Sequence, residues 1–226
     1  MVFSVEEFYH LYSRGVDKRV VFNDYSDYER FKVLMFLCNQ DKPIIMREAH
    51  KDSLFDTEMR GDPLVAIGAW CLMPNHFHIL AKEIKEGGIS KYMRKIMTGY
   101  SMYFNRKNER TGSLFESAFK SQHIDTDEYL RHISAYIHLN PLSLQFPEWK
   151  KGVVDVKGST DFINHYEHSS FLDYKEGSKR GERNILMLNK FPVYHSSFDE
   201  MVTDYQNWID IINERNEDTK ASPMYT

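Results

Sequence analysis

The sequence predicts an α+β fold: a ferredoxin-like (split βαβ) antiparallel sheet with helices on one face, followed by a mainly helical or irregular C-terminal extension. Three observations predict it. Apolar residues recur with strand and helix periods in the order β-α-β-β-α-β-α between residues 8 and 139. Two apolar runs meet at Pro74-Asn75, a turn pair that reads as a hairpin. A long amphipathic stretch, residues 89–108, follows that hairpin directly.

Each element has its own warrant. Residues 8–16 (FYHLYSRGV) read as a strand ending at Arg14-Gly15. Residues 25–37 place apolar side chains at 31, 34, 35 and 37, the stripe of an amphipathic helix. Residues 64–73 (LVAIGAWCLM) are almost continuously apolar, as a buried strand requires, and residues 76–82 (HFHILAK) form its partner. The long helix carries Ile89, Tyr92, Met93, Ile96, Met97, Tyr100 and Tyr103 on one side. Residues 114–124 read as a strand. Asp125-Thr126-Asp127 supplies N-caps for a helix from about 128 to 139, which must stop before Pro141. Beyond 142 the pattern weakens into loop chemistry. A capping box at Ser197 and Glu200 then opens a helix to about 213, and residues 214–226 read as a frayed, disordered tail.

The chain has 226 residues, 42% hydrophobic and 27% charged, enough for a substantial core without staples. Its two cysteines, Cys38 and Cys71, have no metal or disulfide spacing, and the N-terminus lacks a basic then apolar leader. No run approaches the roughly 18 apolar residues of a membrane span. A reduced, cytoplasmic protein is expected. The net charge of −4 argues mildly against a nucleic-acid partner. Residues 91–120 nevertheless hold seven Lys or Arg against two Glu, interleaved with Tyr and Phe, as a phosphate-tracking stripe would be. An ordinary solvated helix face has the same composition.

Two histidines, His76 and His78, flank Phe77 in the second hairpin strand. Alternation puts both imidazoles on one face, roughly 7 Å apart, and sends Phe77 into the core. Such a pair can chelate a divalent metal, although two surface histidines would look the same. Tyr136 and Asn140 share one helix face, one turn apart, beside the stripe of Leu130, Ile133 and Ile137. An amide oxygen can ligate a metal, and a phenol can act as a covalent nucleophile. A core tyrosine is the plainer reading of Tyr136 alone.

The blocks MPNHFHIL (73–80), GSLFESAFK (112–120) and AYIHLNPL (135–142) resemble the single-tyrosine HUH transposases, and most closely the REP-associated tyrosine transposase group, which is IS200-like. HSSFLDY (168–174) resembles a downstream element of the same group. The resemblance implies that residues 1–141 form the catalytic domain and that 142–226 pack on or near a DNA groove. It implies that His76, His78 and Asn140 bind Mg²⁺ or Mn²⁺, with Asn140 standing where related enzymes use glutamine. It implies that Tyr136 is the nucleophile. The implied partner is single-stranded DNA with a hairpin or inverted repeat, cleaved and rejoined through a 5′-phosphotyrosine. A homodimer and a monomer are both compatible with the resemblance.

Lys91, Arg94, Lys95, Arg106, Lys107 and Arg110 are expected to face DNA phosphates, with Arg14 and His10 bordering the groove. Tyr129 is the rival nucleophile, weakened by having Ile133 rather than a ligand at i+4. Two alternatives stand beside this reading. One is a hairpin-DNA-binding protein without cleavage activity. The other is a metal-free two-histidine phosphoesterase, for which His132-Ile133-Ser134, His168-Ser169-Ser170 and His195-Ser196-Ser197 would be the loose motif matches.

Overall fold

The structure, a computed structural model, describes residues 2–43, 54–151, 155–174 and 178–219. Its core is a four-stranded antiparallel sheet in the order β2-β3-β1-β4, built from β1 (Phe8–Arg14), β2 (Val65–Met73), β3 (His76–Glu83) and β4 (Lys120–Ile124). Helix α1 (Tyr25–Leu37) connects β1 to β2, and α2 (Gly88–Lys107) connects β3 to β4, so the split βαβ order is realised. The expected strand over 114–124 is shorter. Only Lys120–Ile124 joins the ladder, while Phe115 makes one isolated bridge to Gly15.

Strand alternation divides the hydrophobic residues between two faces. Phe77 and Ile79 of β3 point with Leu11 of β1 into a core shared with Phe31 of α1 and with Tyr92, Ile96 and Tyr100 of α2, all fully buried. Full burial of one such side chain stabilises the fold by about 1.5–3 kcal/mol. On the opposite face, Ala69, Cys71, Met73, Leu80 and Ile124 meet Leu130, Ile133 and Ile137 of α3 (Asp127–Leu139). That second face is therefore covered by the very helix that carries Tyr136. Thr126 caps α3 by accepting a hydrogen bond from the Tyr129 amide at 3.1 Å. Asp127 and Glu128 oppose the positive end of its dipole.

The far side of α3 holds the C-terminal extension. Ala135, Leu139 and Leu142 pack against Trp149, Ile163 of α4 (Val156–His165), Phe171, and Phe198, Met201 and Tyr205 of α5 (Phe198–Thr219). Helix α4 was expected as loop. Its stripe is thin, with only Ser159 and Ile163 buried, and it rests on a local cap from Asp155 to the Gly158 amide at 2.9 Å. Helix α5 begins as the capping box predicts and runs to Thr219, past the expected end at 213. The remainder of the tail, 220–226, lies outside the described residues.

One turn fixes the hairpin that carries the histidines. The Gly15 amide donates to the Asn75 carbonyl at 2.9 Å, and the Val21 amide donates to the Pro74 carbonyl at 2.8 Å. Gly15 has no room for a side chain: a Cβ there would stand 2.4 Å from the Arg19 carbonyl oxygen. Gly15→Ala is expected to shift this turn and to lower stability by about 1–3 kcal/mol, read by chemical denaturation. An unchanged midpoint would show that the loop relaxes freely.

Candidate active site

The β1–β3 register builds the site. Tyr12 lies opposite His78 and Arg14 opposite His76, so alternation puts His10, Tyr12 and Arg14 on the same face as the two histidines. The rings of His76 and His78 stand edge to face, with centroids 5.0 Å apart. Each imidazole is oriented by a different partner. His76 Nδ1 meets the Asn75 side-chain oxygen at 2.6 Å, and the Asn140 amide hydrogen-bonds the same imidazole. His78 Nδ1 meets His10 Nε2 at 2.8 Å, with both rings buried.

The helix brings the phenol to this cluster. The Tyr136 ring lies edge-on to His78 at 5.5 Å and to His10 at 6.0 Å between centroids. Its other neighbours come from the extension. Trp149 lies 6.1 Å away and Tyr205 6.4 Å away, both in stacked orientation, and Lys150 Nζ lies 5.4 Å from the ring centre. Tyr136 is half-buried, at the border expected from its place beside the α3 stripe, whereas Asn140 is fully buried rather than at that border. Tyr129 instead stacks on His132 at 6.4 Å, on the same helix.

Electrostatically the cluster is neutral imidazole ringed by positive charge. Burial holds His10 near pKa 3 and drives His78 well below the usual histidine value, with His10 adding to the latter. His76 is held at about 4 by burial, then by Arg14. Lys150 acts on both His76 and His78 in the same direction. At neutral pH both histidines are therefore unprotonated and able to ligate.

His78 Nε2 is buried with no hydrogen-bond partner. An orphaned buried imidazole nitrogen is costly unless something else accepts its lone pair. If His78 donates from Nδ1 to His10, Nε2 is left as that lone pair, and the Asn140 side-chain amide lies at the neighbouring His76. Among the described residues, no group of three His, Cys, Asp or Glu side chains could hold a metal. A set of two imidazoles and one amide lies outside that description, and its donors suit Mn²⁺ better than Mg²⁺.

The expected phosphate-facing residues divide. Arg14 lies at the site, exposed and without a carboxylate partner among the described residues. The α2 cations lie on the helix packed against the opposite sheet face and have internal duties. Lys91 pairs with Asp41 at 2.5 Å, Lys95 donates to the Lys42 carbonyl at 2.8 Å, and Lys107 reaches Asp24 and the buried Asp27 at 2.7 Å. Arg110 binds the Asn105 side chain at 2.5 Å. Arg94 and Arg106 are exposed.

The two-histidine alternative needs paired motifs facing each other across strands. His132 lies on α3 instead, and the other two matches lie outside every strand. Sequence reasoning missed Trp149, Lys150 and Tyr205 as site neighbours. No periodicity marks the short turn Trp149–Lys151 that delivers the first two.

Residues 34–140 match the family model described as transposase IS200 like, a span that includes His76, His78, Tyr136 and Asn140. No curated protein sequence matches the chain significantly. A solved structure of a REP-associated tyrosine transposase bound to a REP hairpin aligns over 80% of this chain and 87% of that one. Its TM-score is 0.51 and its identity 16%, a likeness of fold. Residues 34–140 thus resemble the IS200-like transposases, and the solved structure shares the fold.

Proposed function

We propose that the chain is a metal-dependent single-stranded DNA transposase that cleaves and rejoins strands near hairpins through a 5′-phosphotyrosine on Tyr136. The observation that carries this reading is the meeting, within one chain, of the Tyr136 ring with His78 and of the Asn140 amide with His76. A monomer suffices for that arrangement.

His76, His78 and Asn140 would hold Mg²⁺ or Mn²⁺. Such an ion, when bound, polarises a phosphate and supports a departing oxygen. The protein groups do the rest. Tyr136 Oη attacks phosphorus, the P–O3′ bond breaks, and the electron pair goes to O3′. The phenol proton leaves to water, and O3′ takes one from water. The phosphodiester survives as phosphotyrosine, so rejoining to a 3′ hydroxyl needs no ATP. Trp149 and Tyr205 stand beside the ring, where they would restrict its rotation and so favour in-line attack.

The reading is tested with end-labelled hairpin DNA, single-stranded flanks and Mn²⁺. A protein–DNA adduct that survives denaturing electrophoresis is expected. Its absence across hairpins taken from repeats flanking the gene would overturn the reading in favour of a binding protein without chemistry.

His10 orients His78, so it belongs to this reading as a positioning residue. His10→Ala is expected to weaken Mn²⁺ binding by about 10- to 100-fold, measured by calorimetry. Unchanged affinity would reduce the His10–His78 contact to packing.

A further inference from the structure

The C-terminal extension does more than cover α3. Its turn Trp149–Lys151 sets Lys150 Nζ 5.4 Å from the centre of the Tyr136 ring. The same ammonium acts electrostatically on His76, His78 and Arg14. Among the described residues, neither Lys150 nor Arg14 pairs with a carboxylate, although the chain carries 33 Asp and Glu. Nearby Lys151, by contrast, pairs with Glu148. The charged side chains that act on His78 are Lys150 and Arg14, both cations. Two like charges held near one another repel by about 1 kcal/mol or more at contact distances, even in high dielectric. Such a pair becomes favourable once an anion sits between its members.

We propose that Lys150 is a catalytic residue of the cleavage site, which with Arg14 stabilises the charge that gathers on the scissile phosphate as Tyr136 attacks it. The proposal rests on the cleavage reading above. In the step, Oη–P forms while P–O3′ breaks, and negative charge gathers on the non-bridging oxygens of phosphorus. A fixed ammonium aimed at those oxygens stabilises that charge without itself gaining or losing a proton. The same ammonium disfavours a cation bound at the neutral His76–His78–Asn140 set when no phosphate is present. Metal and DNA should therefore bind cooperatively, each relieving the repulsion that the other meets.

The extension is thus part of the active centre, and this part of it lies beyond the segment, 34–140, that matches the family model.

The test compares wild type, Lys150→Met and Lys150→Arg, each confirmed as folded by its melting temperature. Single-turnover adduct formation on a labelled hairpin with Mn²⁺ is expected to slow on the order of 100-fold in Lys150→Met. Lys150→Arg should recover most of that loss. Hairpin affinity should stay within about twofold of wild type, since the effect belongs to the transition state. A neutral methylphosphonate at the scissile position should erase the difference between wild type and Lys150→Met. A second readout needs no turnover: without DNA, Lys150→Met should bind Mn²⁺ more tightly than wild type. Wild-type rates in Lys150→Met, or a rate loss matched by lost hairpin binding, would overturn the proposal while leaving Tyr136 as nucleophile. No adduct from wild type would overturn the cleavage reading, and this proposal with it.

Discussion

Tyr136→Phe is expected to abolish the covalent protein–DNA adduct while leaving hairpin binding within about twofold of wild type. The substitution removes one oxygen and keeps the ring. The edge-on contacts with His78 and His10 and the stacked contacts with Trp149 and Tyr205 are ring contacts, so they survive. The fold should change little, because the half-buried phenylalanine fills the same volume. The chemistry has no substitute. Tyr129 is one helix neighbour that could be suspected of replacing it, but its ring stacks on His132. Loss of the nucleophile should cost at least ~10³-fold in adduct formation, the scale seen when an essential nucleophile is deleted. Gel detection of adduct against a hairpin titration by fluorescence anisotropy separates the two quantities. Residual adduct at more than a few per cent of wild type would assign the nucleophile elsewhere.

Acid should unfold this protein at a higher pH than its near-neutral charge balance suggests. His10, His132 and His138 are 3%, 6% and 0% exposed, and burial holds each near pKa 3. In the unfolded chain each titrates near 6.5. The unfolded state therefore binds more protons than the folded state between those values, so stability falls as pH drops from about 6.5 towards 3. At pH 5 the loss is about 2 kcal/mol for each histidine, or about 6 kcal/mol for the three. Asp173 works the other way. Burial raises its carboxyl to about 7, so folding is relieved of part of that penalty as pH falls. That relief offsets about one histidine's share. The remainder is comparable with the whole stability of many domains. The melting temperature is expected to fall steeply between pH 7 and pH 5. A flat profile over that range would mean that the buried imidazoles are protonated in the native state.

The sheet and its two connecting helices were legible because each element has a clean period and a punctuating turn. Residues 25–37, 76–82 and 89–108 lie within a residue or so of the observed elements. The pairing of Tyr136 with Asn140 on a partly buried α3 face was also legible, since helix geometry fixes it. What lies across from what was not. The register that sets Tyr12 opposite His78 and brings His10 to it is a property of two strands, and neither strand alone encodes it. The α2 cations illustrate a related blindness. Lys107 reads as a surface charge, yet it neutralises Asp27, an acid buried beneath it. Lys150 was the least visible, because its position depends on a three-residue turn with no pattern of its own.

The stack of Tyr136 between the sheet histidines and the aromatic pair Trp149 and Tyr205 has a mechanical corollary. If Tyr136 is the nucleophile proposed above, these ring contacts resist its swinging away with an attached strand. On that reading the acceptor would have to travel to the linkage. Any exchange of partners would then be a matter of threading a new terminus into a stationary anchor, and its pace would be set by how quickly the nucleic acid can bend.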